Sequence, residues 1–271
     1  MCLYTERGDA ALQRGDWTQA VRYYKDAESS AKSIKDKPPL EENQYNWLAC
    51  RERSFFTSAM GGESGASADK VKSEYQDYYK KLKNLTQNRN SLAFKRTEMV
   101  FQEHEAAILL CGQVKQEQEA KEQLEKALKS FEEDADSYNC ARDRFVILCQ
   151  LGDCCRCGGE EKMLSYYKQA EELAERLNKE NRTLQSRSDR MKIKEKIGDA
   201  LSLQADNEAL KIVAIEYYFS ALEEAISLEQ EMKTGKNRQT IDSLLQKIGG
   251  AECENKTIKF DLYCNYSRME S

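Results

Sequence analysis

The residues best suited to chemistry in this sequence are three cysteines in the stretch LGDCCRCGGEE, residues 151–161. Cys154 and Cys157 form a C-x-x-C pair, a spacing typical of zinc sites and redox dithiols, and Cys155 lies between them. A structural zinc ion takes four ligands, usually as two pairs, and the sequence has no second C-x-x-C. A redox C-x-x-C follows a strand and opens a helix, whereas this motif follows a predicted helix, whose dipole raises a thiol pKa. We therefore favour a turn between two helices and keep a metal or redox site as the alternative.

The only histidine, His104, lies between Glu103 and Glu105 on a predicted amphipathic helix. No nucleophile stands at a spacing that would pair with it, so we expect a surface or groove residue rather than a general base. The glycine-rich stretch GGESGASADK lacks the preceding strand and the ordered spacing of a phosphate-binding loop. We predict a protein that is not an enzyme, with no catalytic residue, no cofactor, no metal ion and no small-molecule substrate.

Composition predicts an all-α protein. The 271 residues include only two prolines, and Glu, Lys, Gln, Ala and Leu, all strong helix formers, dominate. The net charge is −5, and basic residues are interleaved with acidic ones along the chain. The dense basic face of a nucleic-acid-binding protein is therefore not expected. No apolar run approaches the ~20 residues that span a bilayer, and MCLYTERGDA is not a signal peptide. These features predict an intracellular protein without direct nucleic-acid or membrane binding, and ten reduced cysteines.

The first 35 residues predict a helical hairpin. Gly8 and Ala20 are small at positions where one helix must approach the other, and Gly15 permits a tight turn with positive φ. Tyr24 and Ala27 lie three apart on the inner face of the second helix.

The same pattern returns twice along the chain. Its second copy has Gly152, Gly159, Tyr167 and Ala170, and its third has Gly198, Ala214, Tyr218 and Ala221. In this register Cys155 takes the place of Ala11 and Leu201, which predicts a core position. Two looser hairpins separate the first copy from the second, so five hairpins fill residues 1 to about 233 and bury their apolar faces by stacking. The tyrosine pairs in RYYK, DYYKK, SYYK and EYYF predict a buried second tyrosine and a half-exposed first one.

The set Tyr4, Gly8, Gly15, Ala20, Tyr24 and Ala27 resembles the tetratricopeptide repeat (TPR). The resemblance implies an α-α superhelix, a TPR-like solenoid of about five hairpins plus a C-terminal capping helix. We divide the chain into a TPR-like array over 1–233, a capping helix over 237–249 with Thr240 as its N-cap, and an irregular or flexible tail over 250–271. Because the first repeat has no capping element before it, we expect either a piece of a longer protein or a sequence that lacks its start.

The resemblance also implies a function, since TPR arrays bind peptides or helices in a concave groove. Those that bind carboxylates use a lysine and an asparagine where this chain has Thr5 and Asp9, and Asp9 would repel a carboxylate. The segments YYKKLKNLTQNRNSLAFKR, LGDCCRCGG and IGDALSLQADNEA resemble the TPR region of Tonsoku-type proteins. That resemblance implies a nuclear scaffold for replication-fork maintenance and DNA repair. The alternatives are a cytoplasmic TPR adaptor for trafficking, motor or signalling complexes and, less favoured, a cysteine-based metal or redox protein.

Overall fold

The computed structural model describes residues 2–38, 40–61, 67–85, 92–110, 116–129, 138–156, 159–204, 207–233 and 235–250. These residues form eleven α-helices and no strand, which confirms the all-α prediction. The helices are α1 (Cys2–Gln13), α2 (Trp17–Lys32), α3 (Leu40–Met60), α4 (Ala68–Leu85), α5 (Leu92–Leu110), α6 (Glu117–Lys129), α7 (Tyr138–Cys154), α8 (Glu160–Glu180), α9 (Leu184–Ser202), α10 (Glu208–Glu231) and α11 (Gly235–Gly250). The predicted tail, apart from its first residue, lies outside the described residues.

The chain divides into two compact units, and packing within each follows chain order. Unit one, Met1–Cys157, contains α1 to α7, and unit two, Gly158–Ser271, contains α8 to α11. In both units each helix packs on the next one along the chain, as expected for stacked hairpins. In unit one α5 also contacts α3 and α7, so the first helices of successive hairpins are neighbours.

A tight turn joins α1 to α2. Gly15 has a φ of 77°, in the left-handed region that glycine adopts without steric cost. Asp16 follows as the N-cap of α2, and its side chain accepts a hydrogen bond of 3.0 Å from the backbone N–H of Gln19. Beyond the turn, Ala11, Ala20 and Tyr24 form a buried cluster between the two helices.

The predicted repeat residues are mostly in the core. The alanines and tyrosines that the three copies place on second helices are all buried, namely Ala20, Tyr24, Ala27, Tyr167, Ala170, Ala214, Tyr218 and Ala221, whereas Tyr4 on α1 is half-buried. Gly8, Gly152 and Gly198 are buried too, whereas Gly159 is the half-buried N-cap of α8. Cys155 is buried like Ala11 and Leu201, so its predicted core position is confirmed.

Two local predictions are wrong. Thr240 lies inside α11 rather than at its N-cap, because the helix already begins at Gly235 and the side chain of Asn237 bonds to the carbonyl of Met232 at 2.8 Å. In DYYKK the order of burial is reversed, since the first tyrosine, Tyr78, is in the core and Tyr79 is half-buried. The core stripe of α4 runs through Val71, Tyr75, Tyr78 and Leu82, which places Tyr78 inward.

None of the helices in the described ranges is both long and apolar enough to cross a membrane.

Candidate interaction site on the first helices

A cavity of about 300 Å³ opens on the first helices of the three hairpins in unit one. We call it the first-helix cavity. Its lining residues come from α1 (Thr5, Asp9), α3 (Ala49, Cys50, Glu52, Arg53) and α5 (Val100, Phe101, His104), together with Tyr24 of α2. The cavity is therefore lined mainly by alternate helices of unit one.

The first-helix cavity has an apolar floor and a charged rim. Cys50 and Phe101 are buried in the floor, and Ala49 and Val100 are half-buried beside them. At the rim the side chains of Asp9 and Arg53 are 50% and 37% exposed and form an ion pair of 3.0 Å. A pocket of this kind accepts an apolar group and orients it with few polar contacts.

The rim is fixed by a three-residue arrangement that joins α1, α2 and α3. The Tyr24 hydroxyl donates to Asp9 Oδ1 at 2.5 Å, and Arg53 Nη2 donates to the same oxygen at 3.0 Å. The Arg53 guanidinium also lies 5.5 Å from the centroid of the Tyr24 ring, within cation–π range. Burial raises the pKa of Tyr24 to about 12, so its hydroxyl remains a donor at neutral pH. The charge of Asp9, which was expected to repel a carboxylate, is therefore paired with a guanidinium.

The same arrangement joins α3, α4 and α5. The Tyr75 hydroxyl donates to Glu52 Oε1 at 2.7 Å, and His104 Nδ1 lies 2.8 Å from that oxygen. His104 Nε2 is 3.4 Å from Glu103 Oε2, and its ring stacks on Phe56 with centroids 3.8 Å apart. The sequence predicts a surface or groove position for His104. The side chain is only 7% exposed, so the surface position is wrong, but it does line the first-helix cavity.

A third copy of the arrangement joins α9, α10 and α11 in unit two. The Tyr218 hydroxyl donates to Asp199 Oδ1 at 2.9 Å, and Lys247 Nζ lies 2.8 Å from the same oxygen. Lys247 Nζ is 5.7 Å from the centroid of the Tyr218 ring. Burial lowers the pKa of Lys247, but the hydrogen bonds to Asp199 and Glu195 outweigh this effect. The pKa of Lys247 is therefore raised above its ordinary value.

We call these arrangements acid–tyrosine–base triads, because each joins an acid on a first helix, a tyrosine on the second helix and a base on the next helix. They consist of Asp9, Tyr24 and Arg53; of Glu52, Tyr75 and His104; and of Asp199, Tyr218 and Lys247. In each, the base follows the tyrosine by 29 residues. The same separation joins Tyr167 to Lys196, whose ammonium lies 5.7 Å from the centroid of the tyrosine ring. This spacing was present in the sequence and was missed there.

The cysteine motif shows features of a packed helix end. Cys154 is the last residue of α7, and Cys155 follows it in a turn. Burial, with smaller contributions from Cys155 and Asp153, raises the pKa of Cys154 to about 12, opposite to the shift that a reactive thiol needs. Cys157 lies outside the described residues, and the described ranges hold no group of three side chains suited to bind a metal ion.

Comparison with known proteins gave no match to the chain, either among protein-family models or among curated proteins.

Proposed function

We propose that the chain is a non-catalytic scaffold of TPR-like repeats that binds a segment of a protein partner in the first-helix cavity. One observation carries the proposal, namely that α1, α3 and α5 jointly line an open cavity with an apolar floor. The charged groups around it bind each other in two triads, which supports a structural role for them rather than a catalytic one.

In this proposal an apolar side chain of the partner rests on Val100 and Phe101, and its backbone meets the polar rim. Asp9 and Arg53 offer that backbone an acceptor and a donor at the same edge. The triads hold neighbouring helices in place before binding, which lowers the entropy lost when the partner docks.

The resemblance to Tonsoku-type TPR regions supports a nuclear partner engaged in replication-fork maintenance and DNA repair. The second candidate, a cytoplasmic adaptor, uses the same cavity and differs only in the partner. Partner identity therefore separates the two, since replication factors support the first, and motor, trafficking or signalling proteins support the second.

Affinity purification with mass spectrometry tests the proposal with a matched pair of variants on α3. Ala49→Leu places a larger side chain on the cavity floor, whereas Ala59→Leu adds the same atoms at another half-buried position of the helix. We expect a partner captured by the wild-type chain to be retained by Ala59→Leu and lost with Ala49→Leu. Circular dichroism checks that both variants are folded. A partner retained equally by both variants would show that binding uses another surface.

A further inference from the structure

The base of the second triad is a histidine, whereas the bases of the other two triads are Arg53 and Lys247. Arginine and lysine stay protonated throughout the physiological pH range, but an unperturbed imidazole titrates near pH 6.5. His104 is also the only histidine in the chain. Its protonation therefore changes one helix junction and leaves the matching junctions unchanged.

Several charged or titratable groups surround His104. Helix α3 contributes Glu52 and Arg53, and α5 itself contributes Glu103. The hydroxyl of Tyr75 reaches the site from α4 through Glu52, and the Gln150 amide of α7 donates to Glu103. Asp9 and Tyr24 face the same cavity from α1 and α2.

Two carboxylates dominate the electrostatics of the imidazole. Burial lowers the pKa of His104, but the attraction of Glu52 and Glu103 exceeds this effect, so the pKa lies above its ordinary value. Burial also raises the pKa of Glu103, against the opposing attraction of His104. Only a protonated imidazole has an N–H for each of the two carboxylates, since a neutral ring has one donor.

We infer that His104 makes the junction between α3 and α5 proton-dependent: the imidazolium of α5 donates to Glu52 of α3 while Glu103, beside it on α5, holds its other N–H. Deprotonation removes the positive charge from the contact with Glu52 and weakens the junction. The Tyr45 hydroxyl and Thr97 Oγ1, 2.6 Å apart, join the same two helices in either state. The junction therefore loosens without separating.

The sign of the pH dependence follows from linkage. Because the folded pKa of His104 is raised, its contribution to stability is complete below the unfolded value near 6.5 and disappears as pH rises through the folded value. Glu103 acts in the same direction, since a raised carboxyl pKa also favours the folded state at low pH.

Two measurements on the full chain test the inference. An NMR pH titration of the single imidazole gives the pKa of His104 directly, and hydrogen exchange gives protection factors, corrected for intrinsic rates, for α3 and α5. We expect a pKa above 6.5 and about a tenfold loss of protection in both helices through that titration, as for one charge-assisted hydrogen bond. Protection at the α9–α10 hairpin, where the base is Lys247, should remain constant and serves as the internal control.

Variants of His104 provide an independent check. His104→Lys copies the base of the third triad and should keep α3 and α5 protected from hydrogen exchange over the whole pH range of the titration. His104→Gln should leave both helices poorly protected at every pH in that range. If His104→Gln does not fold, the wild-type titration still decides. A pKa at or below 6.5, or protection of α3 and α5 that is unchanged while the imidazole titrates, would overturn the inference.

Discussion

The ring of Tyr24 packs directly against the backbone of Gly8. A β-carbon on Gly8 would lie 2.7 Å from Cε1 and Cζ of the ring, closer than such atoms approach in folded proteins. Gly198 and Tyr218 repeat this contact, with a shortest distance of 2.6 Å. In both places the next residue is the acid that accepts the tyrosine hydroxyl, Asp9 or Asp199. The glycine thus lets the tyrosine approach the first helix closely enough to complete its triad.

The first prediction concerns this close approach. Gly8→Ala gains about 1 kcal/mol of helix propensity but forces a methyl group into an aromatic ring held in place by Asp9. Overpacking of this kind costs about 1–3 kcal/mol, so we expect the free energy of unfolding to fall by about 1 kcal/mol. Urea denaturation followed by circular dichroism measures the change.

Gly249→Ala is the control, because a β-carbon there meets no heavy atom within 4 Å. We expect this variant to match the wild-type chain or to be slightly more stable. A Gly8→Ala variant at least as stable as Gly249→Ala would mean that the Tyr24 ring moves aside at no cost.

The helical pattern and the small inner-face residues were predictable because both depend on local spacing. Periodicity identified the helices, and the register of Gly8, Tyr24 and Ala27 placed their counterparts in the core. The start of α11 was not predictable in this way, because Asn237 bonds to the carbonyl of Met232 at the end of α10. The inward position of Tyr78 does follow from the helical spacing of Val71, Tyr75, Tyr78 and Leu82, but the analogy with the other tyrosine pairs pointed to Tyr79 instead.

The polar triads were missed because each is shared among three helices. The acidic neighbours of His104 predict a surface or groove position, yet Glu105 is itself buried and accepts a hydrogen bond of 2.9 Å from Tyr79. Sequence pattern does not distinguish an exposed acid from a buried one whose partner lies on another helix. The base also changes type between Arg53, His104 and Lys247, which conceals the constant separation from the tyrosine.

The second prediction concerns the hydroxyl of Tyr24. Tyr24→Phe keeps the ring against Gly8 but removes the hydrogen bond to the Asp9 carboxylate, so we expect a loss of about 1–2 kcal/mol in unfolding free energy. Tyr23→Phe is the control on the same helix, because Tyr23 is half-buried and its contact with Arg7 involves the ring. Urea denaturation of both variants makes the comparison, and equal stabilities would show that the Tyr24–Asp9 bond contributes nothing net.

The third prediction concerns Cys154. A thiol with a pKa raised to about 12 carries almost no thiolate at neutral pH, so alkylation should be slow. We expect iodoacetamide at pH 7.5 to modify Cys154 at least tenfold more slowly in the folded chain than in urea, as followed by peptide mass spectrometry. Rapid modification of the folded protein would restore the thiol-chemistry alternative, as would stoichiometric zinc found by elemental analysis.

The fourth prediction concerns a buried arginine in unit two. Arg187 is 4% exposed, pairs with Glu224 at 3.5 Å and donates to Ser227 Oγ at 2.6 Å. Arg187→Met keeps most of the side-chain volume but removes the bonds to Glu224 and Ser227, while Arg190 still pairs with Glu224. We therefore expect a loss of about 2–3 kcal/mol. Arg176→Met removes a largely exposed pair with Glu180 and should cost at most about 1 kcal/mol. Urea denaturation of the two variants gives both losses of unfolding free energy. Similar losses would mean that Arg190, the other base on Glu224, compensates for the missing charge.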